Sequence, residues 1–291
     1  MDLLHVVLLA IVQGLAELLP ISSSAHVLVA AKFLHEDMAT PANSLLLVLL
    51  HTGTMFAVIV YFWRRWVDEF LSSWANFVQF VKLVFVATLL SGIVGYPTMK
   101  IVERVLGHGG SKAEIEALFD KLNWIAPALA VAGLLILYAG LHEARRPETT
   151  TRQSRRWVRW PEAIVMGILQ GFAIPFRGFS RSGSTISGGL LAGGARADIE
   201  SFSFAMAVVI TPLAIGREAW RVYKTAHAAA VAMPWRADLT PGLIGLACAF
   251  VAGLLALRWL SRWLEQGRWH WFGVYCLIAA AVVETLYFRG F

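Results

Sequence analysis

The stretch "QGLAELLPISSSAH", residues 13–26, sets a glutamine, a glutamate, a proline, three serines and a histidine inside an apolar N-terminal segment. A membrane interior offers no water to such groups, so each is costly there unless the protein supplies a partner. The surrounding chain is apolar throughout: 58% of its 291 residues are hydrophobic and its mean hydropathy is +0.63. Runs near residues 44–62, 80–97, 123–141, 201–217, 240–258 and 270–288 have the length that spans a bilayer. They are continuous rather than alternating, which argues against a β-barrel. The expectation is an all-α polytopic membrane protein with six transmembrane helices.

Two regions fall outside those runs, 1–34 and 161–195. Each holds two apolar pieces broken by a polar stretch, and neither piece is long enough to span. Broken helices at membrane depth are tolerated where they face protein or a water-filled cavity, so each region reads as a re-entrant helical hairpin. The two are alike: "VQGLAELLPISSS" starts at Val12 and "LQGFAIPFRGFSRS" at Leu169, with "QGLA" and "QGFA" in register at an offset of 157. Three spans lie between the hairpins, so the second enters from the opposite face. The chain then forms one membrane domain, 1–291. It is built as an inverted-topology repeat of about 1–142 and 161–291, joined by 143–160. Such repeats set a binding site at the midplane, between half-helix ends.

Segment 143–160, "EARRPETTTRQSRRWVRW", carries six arginines against two glutamates and marks the cytoplasmic side. Counting spans from it makes 63–66 and 259–269 cytoplasmic and sets both termini outside. Trp63, Trp66, Trp124, Trp157, Trp160, Trp259, Trp263, Trp269 and Trp271 lie at run ends, as an interfacial belt would. The net charge of +6 belongs to these loops; no soluble basic face points to nucleic acid. "MDLLHVVLLAIVQ" has no basic n-region or cleavage site, so no signal peptide is expected. Cys248 and Cys276 lie within apolar runs and suggest neither a disulfide framework nor a metal cluster.

The chemistry concentrates in the two polar turns. Gln13 and Glu17, spaced i, i+4, share a helix face. Pro20 ends that piece, and Ser22, Ser23 and Ser24 open the next, followed by His26. A carboxylate at membrane depth is a functional candidate by default. The second turn, "FRGFSRSGSTISGGLLAGG" (176–194), supplies Ser180, Arg181, Ser182, Ser184 and Thr185, with Gly178 and Gly183 freeing the backbone. A hydroxyl- and glycine-rich turn opening a helix presents N–H groups to an anion, and Arg181 adds a planar fork for phosphate oxygens. Gly189 and Gly193 read as a GxxxG packing step. Together the turns would hold a phosphorylated group and act on it: Glu17 can hold a divalent cation (Mg2+ or Ca2+), a serine can attack phosphorus, and His26 can move the proton. A phosphate site inside a membrane points to a lipid phosphate.

At this point "QGLAELLPISSSAH" and "GFSRSGSTISGG" resemble the two signature regions of the bacterial undecaprenyl-diphosphate phosphatases of the bacitracin-resistance type, as do "FAVIVYFWRRW" (56–66) and "FSFAMAV" (202–208). The resemblance covers essentially the whole chain. It implies an inner-membrane enzyme that removes the terminal phosphate of undecaprenyl diphosphate and renews the carrier for peptidoglycan and other envelope polymers. In excess, such an enzyme confers bacitracin resistance. It also implies a site opening on the periplasmic side. Within that resemblance Ser23 matches the proposed nucleophile and Ser22 its neighbour. Glu17 and Gln13 match the acidic motif, and His26 the family histidine. Arg181 matches the phosphate-binding arginine, with Ser180, Ser182 and Thr185 around it. This chain departs in four places. Arg177 stands where the family has proline, adding a cation near the turn. Gln13 removes one carboxylate. His51 stands where glutamine is expected, and Glu200 lies one place early. A polyprenyl-phosphate translocator is the alternative on the same architecture; a nucleophile aligned with a base discriminates the enzyme from it. A homodimer is compatible with the chain.

Overall fold

The computed structural model describes residues 1–38, 40–106, 122–145, 157–228 and 239–290. Among these residues there are ten helices and no strand: α1 (Leu3–Leu18), α2 (Ser23–Phe33), α3 (Pro41–Glu69), α4 (Trp74–Leu106), α5 (Leu122–Ala144), α6 (Trp160–Ala173), α7 (Arg181–Leu191), α8 (Arg196–Ala228), α9 (Leu239–Glu265) and α10 (His270–Phe288). Most of the arginine-rich 143–160 segment lies outside the described residues.

Helices α3, α4, α5, α8, α9 and α10 are each long and apolar enough to cross a membrane, as a multi-pass membrane protein requires. These are the six runs read from the sequence, five of them extended by polar or aromatic ends and the sixth, 270–288, matched by α10. The remaining four helices form two pairs, α1–α2 and α6–α7, of 16 and 11 and of 14 and 11 residues. Proline causes both breaks, since it cannot donate to the helical ladder. Pro20 stops α1, and Ser22 turns the chain with φ 69°, a left-handed conformation uncommon for a non-glycine residue. Pro175 stops α6, and Gly178 turns the chain with φ 101°. A side chain at Gly178 would meet the Ile125 carbonyl at 2.5 Å, so both the torsion and the space demand glycine there.

The bundle closes through small residues, as helices do where lipid supplies no hydrophobic drive. Gly14 on α1 lies against Ala249 and Ala252 of α9; Gly167 and Gly171 on α6 lie against Ala87, Ser91 and Val94 of α4. In the second interface the buried Ser91 hydroxyl lies within hydrogen-bond reach of the Gly167 carbonyl (2.9 Å), and Gln170 Nε2 donates to Ser91 Oγ (3.1 Å).

Two sequence readings change here. Trp269 is fully buried, packs in the core and donates from Nε1 to Ser187 Oγ at 3.0 Å, while Trp66 Nε1 donates to Ser201 Oγ at 3.0 Å. Both indoles found buried partners rather than a place in the belt; Trp63, Trp124, Trp160, Trp259 and Trp271 are exposed, as a belt requires. Gly189 does pack closely, against Ile199 and Met166. Gly193, however, lies past the end of α7 with φ 99°, a turn glycine rather than a second packing step.

Candidate active site

The α1–α2 and α6–α7 breaks meet. A cavity of about 230 Å³ lies between them, lined by Glu17, Ser22, Ser23 and Ser24 from the first pair and by Arg177, Ser180, Arg181 and Ser182 from the second. Ile174 and Phe176 supply apolar wall. The α2 and α7 N-termini both open at this cavity, so two sets of unpaired N–H groups and two positive dipole ends flank it. Ser180 caps α7 by accepting from the Gly183 N–H (3.2 Å).

Glu17, in the last turn of α1, is the hub. Arg181 Nη2 donates to its Oε1 at 2.9 Å. Ser23 Oγ donates to its Oε2 in a short contact. Gln13 Nε2 donates to Oε2 from one turn below, at 3.4 Å. His51 Nε2, on α3, approaches Oε2 at 3.8 Å. A carboxylate so surrounded is held in one rotamer by its neighbours. Arg181 remains about a quarter exposed and lines the cavity.

His26 is placed differently from the sequence reading. Its Nδ1 lies 2.8 Å from the Ser22 carbonyl, and its Nε2 lies 2.8 Å from the Tyr275 hydroxyl of α10, with the two rings stacked. The Ser22 carbonyl can only accept, so Nδ1 carries the hydrogen and a neutral ring takes the Tyr275 proton at Nε2. The sequence paired Ser23 with His26; the structure pairs Ser23 with Glu17.

The remaining hydroxyls divide. Ser22 and Ser24 contact each other at 3.2 Å on the cavity wall. Ser182 Oγ donates to the Leu19 carbonyl at 3.4 Å, tying the second turn to the first. Thr185 is buried, donating to the Arg181 carbonyl at 2.9 Å and meeting Ser203 Oγ at 2.6 Å; it fixes the Arg181 backbone rather than lining the cavity. Arg177 is exposed on the cavity rim. His51 and Tyr275 went unassigned as site residues. His51 had a signal, an imidazole inside an apolar span with Glu17 as a possible partner; Tyr275 had none, since its partner lies 249 residues away.

No group of three or more His, Cys, Asp or Glu side chains able to hold a metal occurs among the described residues. Glu17 is the one carboxylate in the lining. That donor set is too thin for an all-protein cage; Glu17 is the residue that would hold a divalent cation, and the ion would supply further positive charge to a bound phosphate.

Among the described residues, ten helices, six of them long and apolar enough to cross a membrane, surround a carboxylate, a hydroxyl and a guanidinium joined between two broken helix pairs: the architecture of a multi-pass membrane protein. Residues 6–282 match the family described as "Bacitracin resistance protein BacA". The chain is 46% identical over 288 residues to "Undecaprenyl-diphosphatase 2" of Acinetobacter baylyi, with 98% of each chain covered. It is 31% identical over 291 residues to "Undecaprenyl-diphosphatase" of Rhodopirellula baltica, covering 99% of each. It is 32% identical over 291 residues to the protein so named from an Anaeromyxobacter species, covering 100% of this chain and 90% of that one. This chain belongs to the bacitracin resistance protein BacA family.

Proposed function

We propose that this protein is a membrane-embedded undecaprenyl-diphosphate phosphatase. It removes the terminal phosphate of the lipid carrier diphosphate, renews undecaprenyl phosphate for envelope polymer synthesis, and in excess confers bacitracin resistance. The observation that carries the reading is the contact of Ser23, Glu17 and Arg181 across the cavity between the two breaks, together with the names of the relatives that span the whole chain.

In this reading the diphosphate enters with its terminal phosphoryl group over the α2 and α7 N-termini. Arg181 turns from Glu17 to the phosphoryl oxygens, with Arg177, Ser180 and Ser22 around them. Ser23 Oγ attacks the terminal phosphorus while Glu17 accepts its proton. The bond from phosphorus to the bridging oxygen breaks, and undecaprenyl phosphate leaves. Glu17 gives that proton to the departing undecaprenyl phosphate, takes one from water as the water attacks the phosphoserine, and returns it to Ser23 Oγ as phosphate is released. Phosphoryl transfer depends chiefly on positioning and on charge stabilisation, and the site supplies both. Gln13 and His51 orient Glu17. His26, held by Ser22 and Tyr275, positions the Ser22–Ser23 turn. A divalent cation held by Glu17 and the diphosphate would neutralise further phosphoryl charge.

The finer architecture belongs to the same proposal. The two broken pairs are re-entrant hairpins, and 1–142 and 161–291 are inverted repeats within one membrane domain. Matched packing supports this. Gly14 of α1 lies near Gly253 of α9, and Gly171 of α6 near Gly95 of α4; the partners stand 157 and 158 residues apart. Under that relation 143–160 is cytoplasmic in the bacterial inner membrane, and the cavity opens to the periplasm.

Purified protein should release inorganic phosphate from undecaprenyl diphosphate, measured with and without Mg2+ or Ca2+. Lipid moved across vesicles without phosphate release would instead make the protein a translocator.

A further inference from the structure

The two walls of the site cavity differ. Apart from Ala16, the α1–α2 wall is polar, with Glu17 and three serines; the α6–α7 wall is apolar from Ala173 through Ile174 to Phe176, where Arg177 begins its polar part. Ile174 is half exposed, so the apolar wall reaches the surface of the protein. Ser23 and Glu17, the hydroxyl and carboxylate that would react, stand together on the polar wall. A diphosphate whose terminal phosphorus faces Ser23 has its lipid-bearing phosphate and its chain toward the α6–α7 wall.

Arg177 stands where that wall turns. The Phe179 N–H donates to the Phe176 carbonyl at 3.1 Å, and Gly178 has φ 101° while Arg177 does not have a positive φ. These are the marks of a type II turn with Arg177 at its second position and Gly178 at its third. Gly178 lies against the Ile125 carbonyl, which fixes the corner in place. Proline presets the second position of such a turn; arginine brings it no backbone advantage. What arginine brings is a guanidinium, exposed at the cavity rim beside Phe176. The lining holds two arginines and one carboxylate, and Arg181 is the one that donates to Glu17. One cation thus belongs to the reacting wall and the other to the side from which a lipid chain would leave.

We infer that Arg177 holds the lipid-bearing phosphate of the diphosphate, while Arg181 holds the terminal one. The inference rests on the phosphatase reading above and narrows the place of Arg177 among the groups around the phosphoryl oxygens. The lipid-bearing phosphate is anionic in the substrate and stays anionic in the undecaprenyl phosphate that leaves. A guanidinium on it binds substrate and lipid product alike. Binding of that kind lowers KM far more than it raises kcat. It also strengthens retention of the lipid product, and leaves the other product, inorganic phosphate, to Arg181.

The experiment compares purified wild type, Arg177→Pro, Arg177→Gln and Arg177→Lys on undecaprenyl diphosphate in mixed micelles, with undecaprenyl phosphate and inorganic phosphate as competing inhibitors. Arg177→Pro suits the turn and removes the cation; Arg177→Gln removes it without restricting Phe176, as a following proline would. In both, KM for undecaprenyl diphosphate and the inhibition constant of undecaprenyl phosphate should rise together by about tenfold, the worth of one charge-assisted hydrogen bond. The change in kcat should be smaller. The inhibition constant of inorganic phosphate should stay within about twofold of wild type. Arg177→Lys, which keeps the charge but not the planar fork, should fall between. An unchanged KM with unchanged inhibition by undecaprenyl phosphate overturns the inference. Equal weakening of inorganic phosphate also overturns it, because Arg177 then serves the terminal group. So does a fall in kcat at constant KM, which would make Arg177 act on the transition state alone. If wild type releases no phosphate from undecaprenyl diphosphate, the phosphatase reading itself has failed, an outcome separate from the others.

Discussion

Arg181 and Glu17, 164 residues apart, form an ion pair with Nη2 donating to Oε1 at 2.9 Å, and that pair joins the two helix breaks at the cavity. Both charges are mostly screened from water, so neither is comfortable alone. In the phosphatase reading, an arriving phosphate competes with Glu17 for the guanidinium. Removing one partner of a buried pair strands the other, at a cost of about 3–5 kcal/mol in the general case.

Arg181→Ala should therefore lose both substrate binding and turnover, and should lower thermal stability. Arg181→Lys should keep stability and part of the binding, because it keeps the charge, but should lose most turnover, because an ammonium cannot grip two oxygens as the planar fork does. An arginine acting on a transferring phosphoryl group is worth about 10³–10⁵-fold. Steady-state kinetics with thermal melts in detergent would separate the effects. A lysine variant with near-normal kcat would reduce Arg181 to a structural counter-charge.

Glu17→Gln retains shape and hydrogen-bonding capacity but removes the charge and the base. We expect kcat to fall about 10²–10⁴-fold, the worth of a positioned general base, with the protein still folded. Excess Mg2+ should not restore it. Since Gln13 and Ser23 both donate to Glu17, Gln13→Ala should be milder, acting through the rotamer of Glu17. Near-normal turnover in Glu17→Gln would move both base and cation elsewhere.

Much of this was legible in the chain. Continuous apolar runs gave the six long helices, because nothing else hides so much apolar surface at that length. Pro20 gave the first break, because proline removes a donor wherever it falls, and the polar stretch between two short apolar pieces gave the second. The residue types at the two turns singled out Glu17, Ser23 and Arg181 as candidates, and the fold brings these three side chains into contact. What stayed illegible depends on distant neighbours. Trp269 looked interfacial by its position but has Ser187 as a buried partner. His26 looked like the base for Ser23 by proximity in sequence, yet Tyr275 on α10 holds its other nitrogen. Thr185 looked like a phosphate ligand but bonds to Arg181 and Ser203. Periodicity says which face of a helix a side chain occupies; it does not say which helix will stand opposite.

The small-residue interfaces predict a contrast among glycines. A side chain at Gly14 would meet Ala252 Cβ at 2.6 Å and the Ala249 carbonyl at 2.7 Å; one at Gly171 would meet Val94 Cβ at 2.8 Å and the Ser91 carbonyl at 2.9 Å. Gly14→Val and Gly171→Val should each destabilise, by about 1–3 kcal/mol or more, as overpacking does. Similar losses at the two positions are what an inverted repeat requires. A benign Gly171→Val beside a destabilising Gly14→Val would break that equivalence, read from melting temperatures in one detergent.

Orientation has its own test. If 143–160 is cytoplasmic, as its arginine excess predicts, a cytoplasm-active reporter fused there should work, and periplasm-active reporters at either terminus should work. A cytoplasmic N-terminus with a periplasmic C-terminus would require an odd number of crossings and would end the inverted-repeat proposal while leaving the site geometry intact.

The last prediction separates nucleophile from support. Ser23 Oγ donates to Glu17, whereas both ring nitrogens of His26 are engaged, by the Ser22 carbonyl and by Tyr275. If Glu17 is the base, Ser23→Ala should abolish measurable turnover while still retaining lipid, since Arg181 and the helix N-termini remain. His26→Ala should be milder, because it loosens the turn that aims Ser23 without removing a reacting group. Tyr275→Phe frees one nitrogen of His26 and keeps the stacked ring, so it should be milder still. The ranking of kcat should thus run Tyr275→Phe, His26→Ala, Ser23→Ala, from mildest to most severe. Rapid-quench experiments with terminally radiolabelled substrate should trap phosphoserine in wild type, and His26→Ala should slow its formation and its decay together. Were His26 itself the base, His26→Ala would fall as far as Ser23→Ala and Tyr275→Phe would perturb the pH profile strongly. Substantial activity in Ser23→Ala would instead make that hydroxyl a positioning group for Glu17, with water as the attacking oxygen.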